Sequence, residues 1–153
     1  TLLPELLMAY PRKNVRLLGA WGEWEALEKT RKGIRVRFLG SSFPETGQHL
    51  DPLEGIDPLL EGSALPTIAL LHCDTSDPHS PFGYADPSIM AGYPVNAWIL
   101  GHLHQPRVVN RKPLILYAGE PLSPLPGRTA PCGPVLFEID EKGVRKWDWT
   151  GLG

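Results

Sequence analysis

Two stretches decide the fold: Thr67-Ile68-Ala69-Leu70-Leu71-His72, and Ala97-Trp98-Ile99-Leu100-Gly101-His102-Leu103-His104. Each is an apolar run of strand length that ends in imidazole. Near-continuous apolar character fits strands covered on both faces, as in parallel sheets, rather than the alternation of a half-exposed strand. Ligands gather at the carboxyl ends of such strands, so the position of the histidines matters as much as their number. His102 and His104 are two apart and face one side of an extended chain, with Gly101 letting the backbone turn just before them. Neutral imidazole suits Zn, Mn or Fe. Three strand-end imidazoles, His72, His102 and His104, are therefore the candidate metal ligands.

Working outward, seventeen prolines and sixteen glycines leave few stretches long enough for a helix. Runs of β-branched and aromatic residues predict further strands over Val15–Leu18, Ile34–Leu39, Leu114–Ala118, Val135–Ile139 and Val144–Trp149. The last two flank Asp140-Glu141-Lys142-Gly143, a short Gly-containing loop that closes a hairpin. Short helices are expected over Leu53–Leu60 and from Pro87 towards Gly92, the second capped by Asp86. There is no internal repeat and no low-complexity tract. The fold class expected is strand-rich α/β, mostly β with few short helices.

The 153 residues suit a single domain spanning 1–153, and 42% hydrophobic content opposes disorder. Apolar runs fall far short of the roughly 20 residues needed to span a bilayer, so no membrane partner is expected. Thr1–Tyr10 has none of the parts of a secretory signal, which makes the cytoplasm the default compartment. Since the chain opens on Thr1 and its only methionines are Met8 and Met90, removal of an upstream segment is expected. Cys73 and Cys132 alone exclude a disulfide scaffold and a four-cysteine zinc site.

Net charge is only -2, which excludes a polycation that holds nucleic acid by phosphate neutralisation alone. Charge is nevertheless segregated. Arg12 to Arg37 contains eight basic and three acidic residues, whereas Phe38 to Pro106 contains eight acidic residues and no Lys or Arg. Two readings are open: a solvated basic hairpin beside an acidic loop region, or a basic rim beside a cation-attracting centre.

Leu70-Leu71-His72, Gly101-His102-Leu103-His104, Tyr117-Ala118-Gly119-Glu120-Pro121, and Gly133 leading into Val135–Asp140 occur in an order that resembles the second half of a calcineurin-like metallophosphoesterase. The spacing is most similar to the bacterial DNA repair exonuclease branch, whose nuclease subunit partners a coiled-coil ATPase. Tyr84 to Met90 also resembles the loop and short helix that this branch places before its Gly-His-X-His strand. The resemblance runs from Pro66 to about Asp140.

The resemblance implies an αββα sandwich of which this chain is the C-terminal portion. It makes His72 and His102 ligands of one metal and His104 a ligand of the other, with two Mn ions in the complete enzyme and Zn or Fe as alternatives. It implies a hydrolase that cleaves phosphodiesters, with DNA as substrate and a possible ATPase partner. The family's Gly-Asp and Gly-Asn-His elements are absent, and the one Asp-X-His, Asp77-Pro78-His79, lies in a Pro-rich loop. No catalytic leaving-group histidine is therefore assigned, and the isolated chain is expected to be inactive. His79 and Arg107 are the candidate substrate contacts, with Arg111, Lys112 and Arg128 as further basic residues. Two alternatives stand beside the nuclease reading: a non-catalytic zinc module in which Asp74 or Cys73 completes the histidine set, and an interaction module completed by a partner chain. A truncated layered fold leaves apolar strands uncovered, so self-association is expected unless Trp21, Trp24 and Leu2–Leu7 fold back over them.

Overall fold

The structure is a computed structural model that describes residues 13, 15–42, 51–120 and 133–150, without the side chain of Trp21. Its centre is a six-stranded mixed sheet. In chain order the strands are β1 (Glu25–Arg31), β2 (Ile34–Ser41), β3 (Thr67–His72), β4 (Ala97–Gly101), β5 (Arg107–Arg111) and β6 (Leu114–Tyr117), arranged β1-β2-β3-β4-β6-β5. The inner strands β2, β3, β4 and β6 run parallel, and the edge strands β1 and β5 are antiparallel to their neighbours. A separate antiparallel hairpin, β7 (Val135–Asp140) and β8 (Gly143–Trp149), forms a second, two-stranded sheet.

Alternation along the strands sorts the core into two layers. Leu39, Ala69, Leu71, Trp98, Leu100, Ile115 and Tyr117 pack on one face against Leu53, Ile56, Leu60, Ala85, Met90 and Val95. These covering residues belong to the segments around two one-turn helices, α1 (Asp57–Leu60) and α2 (Pro87–Met90). On the opposite face Val36, Ile68, Ala97, Leu114 and Leu116 meet Val135, Phe137, Ile139, Val144, Trp147 and Trp149 of the hairpin. The parallel strands are thus covered on both sides, as their apolar sequence requires. Leu70 is the exception, 38% exposed on a central strand. The β7–β8 hairpin packs on the face that carries Ile68 and Leu70, where Phe38, Ile99 and Val108 are also only partly buried.

Strand-rich α/β architecture with few short helices is what the sequence predicts. β3 matches its expected span, and β2, β4, β6, β7 and β8 differ from theirs by a residue or two at an end. Val15–Leu18 is not a strand. Gly19 there adopts φ 62, and its carbonyl accepts from Ser42 N at 2.9 Å, so the segment crosses the end of β2 instead of laddering with it. Leu18 fills the space that Gly40 leaves, where a Cβ would come within 2.4 Å of the Leu18 Cβ. The expected helix over Leu53–Leu60 shortens to Asp57–Leu60 because Gly55, at φ 82, breaks it. Asp86 caps α2 as expected, its side chain accepting from Ser88 N at 2.7 Å.

β1 and β5 have no counterpart in the expected strands. β1 reads Glu-Ala-Leu-Glu-Lys-Thr-Arg, without β-forming bias. Glu28 gives it cross-strand support by pairing with Arg35 and, at 2.9 Å, with Arg37 of β2. The turn between them uses Lys32 and Gly33 at φ 50 and 81, the double positive φ of a tight hairpin. Among the described residues no helix is long and apolar enough to cross a membrane. Leu2–Leu7, Arg12, Pro121, Arg128, Cys132 and the Trp21 side chain lie outside the described residues.

Candidate functional site

Parallel pairing brings the ends of β3 and β4 level, with His72 opposite Gly101. A Cβ on Gly101 would sit 3.1 Å from His72 Nδ1, so the missing side chain makes room for that ring. His102 follows at φ 103, a left-handed conformation that a non-glycine residue adopts only where its surroundings hold it. The two imidazole centroids are 5.6 Å apart, with planes inclined at 68°. The Phe82 ring lies 4.6 Å from that of His102 and 6.4 Å from that of His72, while staying 43% exposed.

Phe82 is carried by a compact loop that leaves β3. Asp74 N donates to Gly83 O at 2.8 Å and Ala85 N returns to Asp74 O at 2.9 Å, closing the loop at its base. Within it, Asp74 Oδ1 accepts from Ser76 N and Ser76 Oγ, both at 2.7 Å, and from Asp77 N at 3.3 Å. Tyr117 fastens the same base by donating to Cys73 O at 3.2 Å and meeting Thr75 Oγ1 at 3.0 Å. The second Asp74 oxygen, Oδ2, faces His102 Nε2 at 3.6 Å, with the two side chains only 12% and 20% exposed.

Electrostatics follow from this packing. Burial, reinforced by the neighbouring His102 and His104, pulls the His72 pKa below its usual value and favours the neutral imidazole. Burial acts to raise the Asp74 carboxyl, but the hydrogen bonds from Ser76 and Asp77 and the nearby His102 outweigh it, so the net direction is down. Cys73 turns into the core, where burial and the adjacent Asp74 push its thiol up to about 12. That placement in the core weakens the cysteine variant of the zinc module.

His104 differs from the other two imidazoles in its exposure and its partner. It is 71% exposed and its Nδ1 is paired with Glu120. Glu120 carried no assigned role in the sequence, although it follows the end of β6 by the same strand-end logic that singled out His72. Phe82 was likewise not anticipated; nothing in a Pro-rich loop sequence tells which residue folds back over a strand end. Among the described residues no group of three or more His, Cys, Asp or Glu side chains is placed to hold a metal ion. His72 and His102, with ring centroids 5.6 Å apart, are the pair that could share one ion, and they do not by themselves make up a two-metal centre.

The register also sorts the basic residues. Arg107 stands opposite Tyr117, at the same sheet edge as His72 and Gly101. His79, exposed in the loop after β3, has its backbone N–H bonded to Asp77 Oδ1 at 2.9 Å. Arg31 and Lys32 lie at the β1–β2 turn, at the amino end of β2 and so at the opposite edge, as do Arg111 and Lys112. Arg16, Arg35 and Arg37 are held by Glu25 and Glu28. Of the two readings of the charge pattern, the described residues favour a solvated basic hairpin over a rim around the histidines. An open depression of about 300 Å³ lined by Pro66, Tyr93, Asn96, Pro113, Glu141 and Lys142 is also at the far edge and touches none of the histidines. No family model matches the chain, and no curated protein matches its sequence.

Proposed function

We propose that the chain is the imidazole-bearing part of a calcineurin-like metallophosphoesterase, a hydrolase of phosphodiester bonds. The observation that carries the reading is the juxtaposition of His72 and His102 at the ends of adjacent parallel strands, one kept neutral by burial and the other held in a strained backbone. Bound divalent ions, Mn by resemblance with Zn or Fe as alternatives, would activate water and stabilise charge on the phosphoryl group. His72 and His102 would hold one ion and His104, released from Glu120, would approach the other. The bridging carboxylates come from a companion segment, in the same protein or in a partner chain. His79 and Arg107 share the edge where substrate would lie. DNA as substrate, a coiled-coil ATPase as partner and a cytoplasmic setting rest on the resemblance and the sequence alone.

The isolated chain is expected to bind a single Zn or Mn weakly in calorimetry and to leave bis(p-nitrophenyl) phosphate and linear DNA intact. Joined to a segment that bears the Asp-X-His, Gly-Asp and Gly-Asn-His elements, it should hydrolyse both, and His102→Ala should abolish turnover. Two tight independent metal sites in the isolated chain, or hydrolysis by it that vanishes with His79→Ala, would overturn the reading. A second reading, an interaction module completed by another chain, is favoured by the exposure of Leu70 on a central strand.

A further inference from the structure

The Asp74 carboxylate is divided between two tasks. Oδ1 is saturated by three donors from Ser76 and Asp77, which fixes the side chain's orientation. Oδ2 is thereby aimed at His102 Nε2 from 3.6 Å, beyond hydrogen-bond length but with both groups mostly removed from water. An ionised carboxylate can only accept. If Nε2 carried its lone pair, two electron-rich atoms would face each other in a shielded pocket; if it carries the proton, an N–H dipole points at the negative charge. The Phe82 and His72 rings, with centroids 4.6 and 5.6 Å from that of His102, pack against the imidazole and restrain it from swinging away.

The geometry points to Asp74 as a positioning residue that fixes His102 in the Nε2–H tautomer, leaving the Nδ1 lone pair as the one available to an electrophile such as a divalent cation. The inference rests on the proposed metal-site reading only for its use; the tautomer itself is a property of the free chain. It also accounts for the arrangement of the loop, since any residue could turn the chain after β3, but only an acidic one held by its own loop could present a fixed negative oxygen to His102. Carboxylate partners of this kind commonly orient metal-ligating histidines.

Long-range proton–nitrogen correlation spectra of the metal-free full chain, labelled with nitrogen-15 histidine, test this directly. His102 is expected as Nε2–H. In Asp74→Asn the amide oxygen keeps the Ser76 and Asp77 donors while its NH2 turns to His102, so the tautomer should invert to Nδ1–H. Ser76→Ala, which only loosens the loop, should leave Nε2–H in place. Zinc titration of Asp74→Asn should show affinity lowered about 10- to 100-fold. A wild-type Nδ1–H tautomer, an unchanged tautomer in Asp74→Asn, or inversion in Ser76→Ala would each overturn the assignment, and the first needs no variant to fold. Loss of zinc binding in Asp74→Asn without inversion would make Asp74 a ligand instead. Failure of the wild-type chain to bind zinc at all would defeat the metal-site reading while the tautomer still decides the role of Asp74.

Discussion

Asn96 lies so close to Gly143 that a Cβ at position 143 would come within 2.4 Å of its side-chain nitrogen. The same Asn96 accepts from Thr67 N at 2.7 Å and donates to Lys142 O at 3.5 Å, so one amide joins the starts of β3 and β4 to the turn of the β7–β8 hairpin. Gly143 is also at φ 119, where a side chain is strained whatever the space. Gly143→Ala is therefore expected to cost about 1–3 kcal/mol, a fall of several degrees in Tm, and to unseat the hairpin from the sheet. Urea denaturation with Trp147 and Trp149 fluorescence as probe checks it; an unchanged midpoint would mean the hairpin is not seated through this contact.

A different balance applies at Trp98, which is fully buried with its indole N–H lacking a hydrogen-bond partner among the described residues. Its ring packs edge-on to Trp24 and Tyr93, 6.3 and 6.1 Å away. Trp98→Phe loses volume but removes an unsatisfied donor worth about 1–3 kcal/mol, so the net cost should stay within about 1 kcal/mol. Trp98→Ala has no such offset and should cost about 3–5 kcal/mol. Equal losses for Phe and Ala in chemical denaturation would show that the indole nitrogen is satisfied in solution.

Acid sensitivity should begin above the carboxylate range. His72 is held below the ordinary imidazole value of 6.5, so the unfolded chain binds its proton more tightly than the folded one. Stability then falls as the pH drops below about 6.5, and the slope flattens once the folded group is itself protonated. Glu28 acts in a lower window: Arg37 and Arg35 depress it below 4.5, and its contribution, present above that value, is lost as the pH falls through the depressed one. Thermal melts at about pH 7.5 and about pH 5.5 should differ in the wild type and much less in His72→Gln. Equal sensitivity in the two proteins would place the titrating group elsewhere.

If the histidine edge meets nucleic acid, the two basic regions will behave differently. Arg107→Ala should weaken binding of a short oligothymidylate and lower the salt slope by about one, as for a phosphate contact. Substituting Arg31 and Lys32 together should change neither, because they stand at the other end of the parallel strands. Fluorescence anisotropy across a salt series decides between them, and a dominant effect of the hairpin-tip pair would move the contact surface away from the histidines.

Leu70 makes the expectation of self-association specific. Sedimentation at micromolar concentration should reveal species heavier than one chain, and Leu70→Lys should shift them towards the monomer. A wild type that remains monomeric would show that the hairpin, together with the rest of the chain, covers enough of the sheet.

The parts of the fold that were legible in sequence are those where burial alone dictates composition. Thr67–His72 and Ala97–Leu100 could be read as inner strands because both faces had to be apolar, and the same reading put His72 and His102 at one edge. Glu25–Arg31 was illegible because an edge strand need not be apolar; it is held by its backbone ladder to β2, with Glu28 meeting two arginines across it, a pairing visible only in register. Val15–Leu18 misled for the converse reason, since an apolar run can serve as a plug, as Leu18 does against Gly40. At the site, spacing placed His102 and His104 on one side of an extended chain, but the backbone turns at His102, and His104 pairs with Glu120 from the segment after β6.

Cys73, adjacent to His72 and sealed in the core with a thiol pushed up to about 12, turns that burial into a gauge. Alkylating reagents attack thiolate, which Cys73 forms only when the strand end lets water in. In a Cys132→Ser background its labelling rate would count openings of the sheet beside the imidazole pair, registering from within how firmly that end of the molecule is held shut.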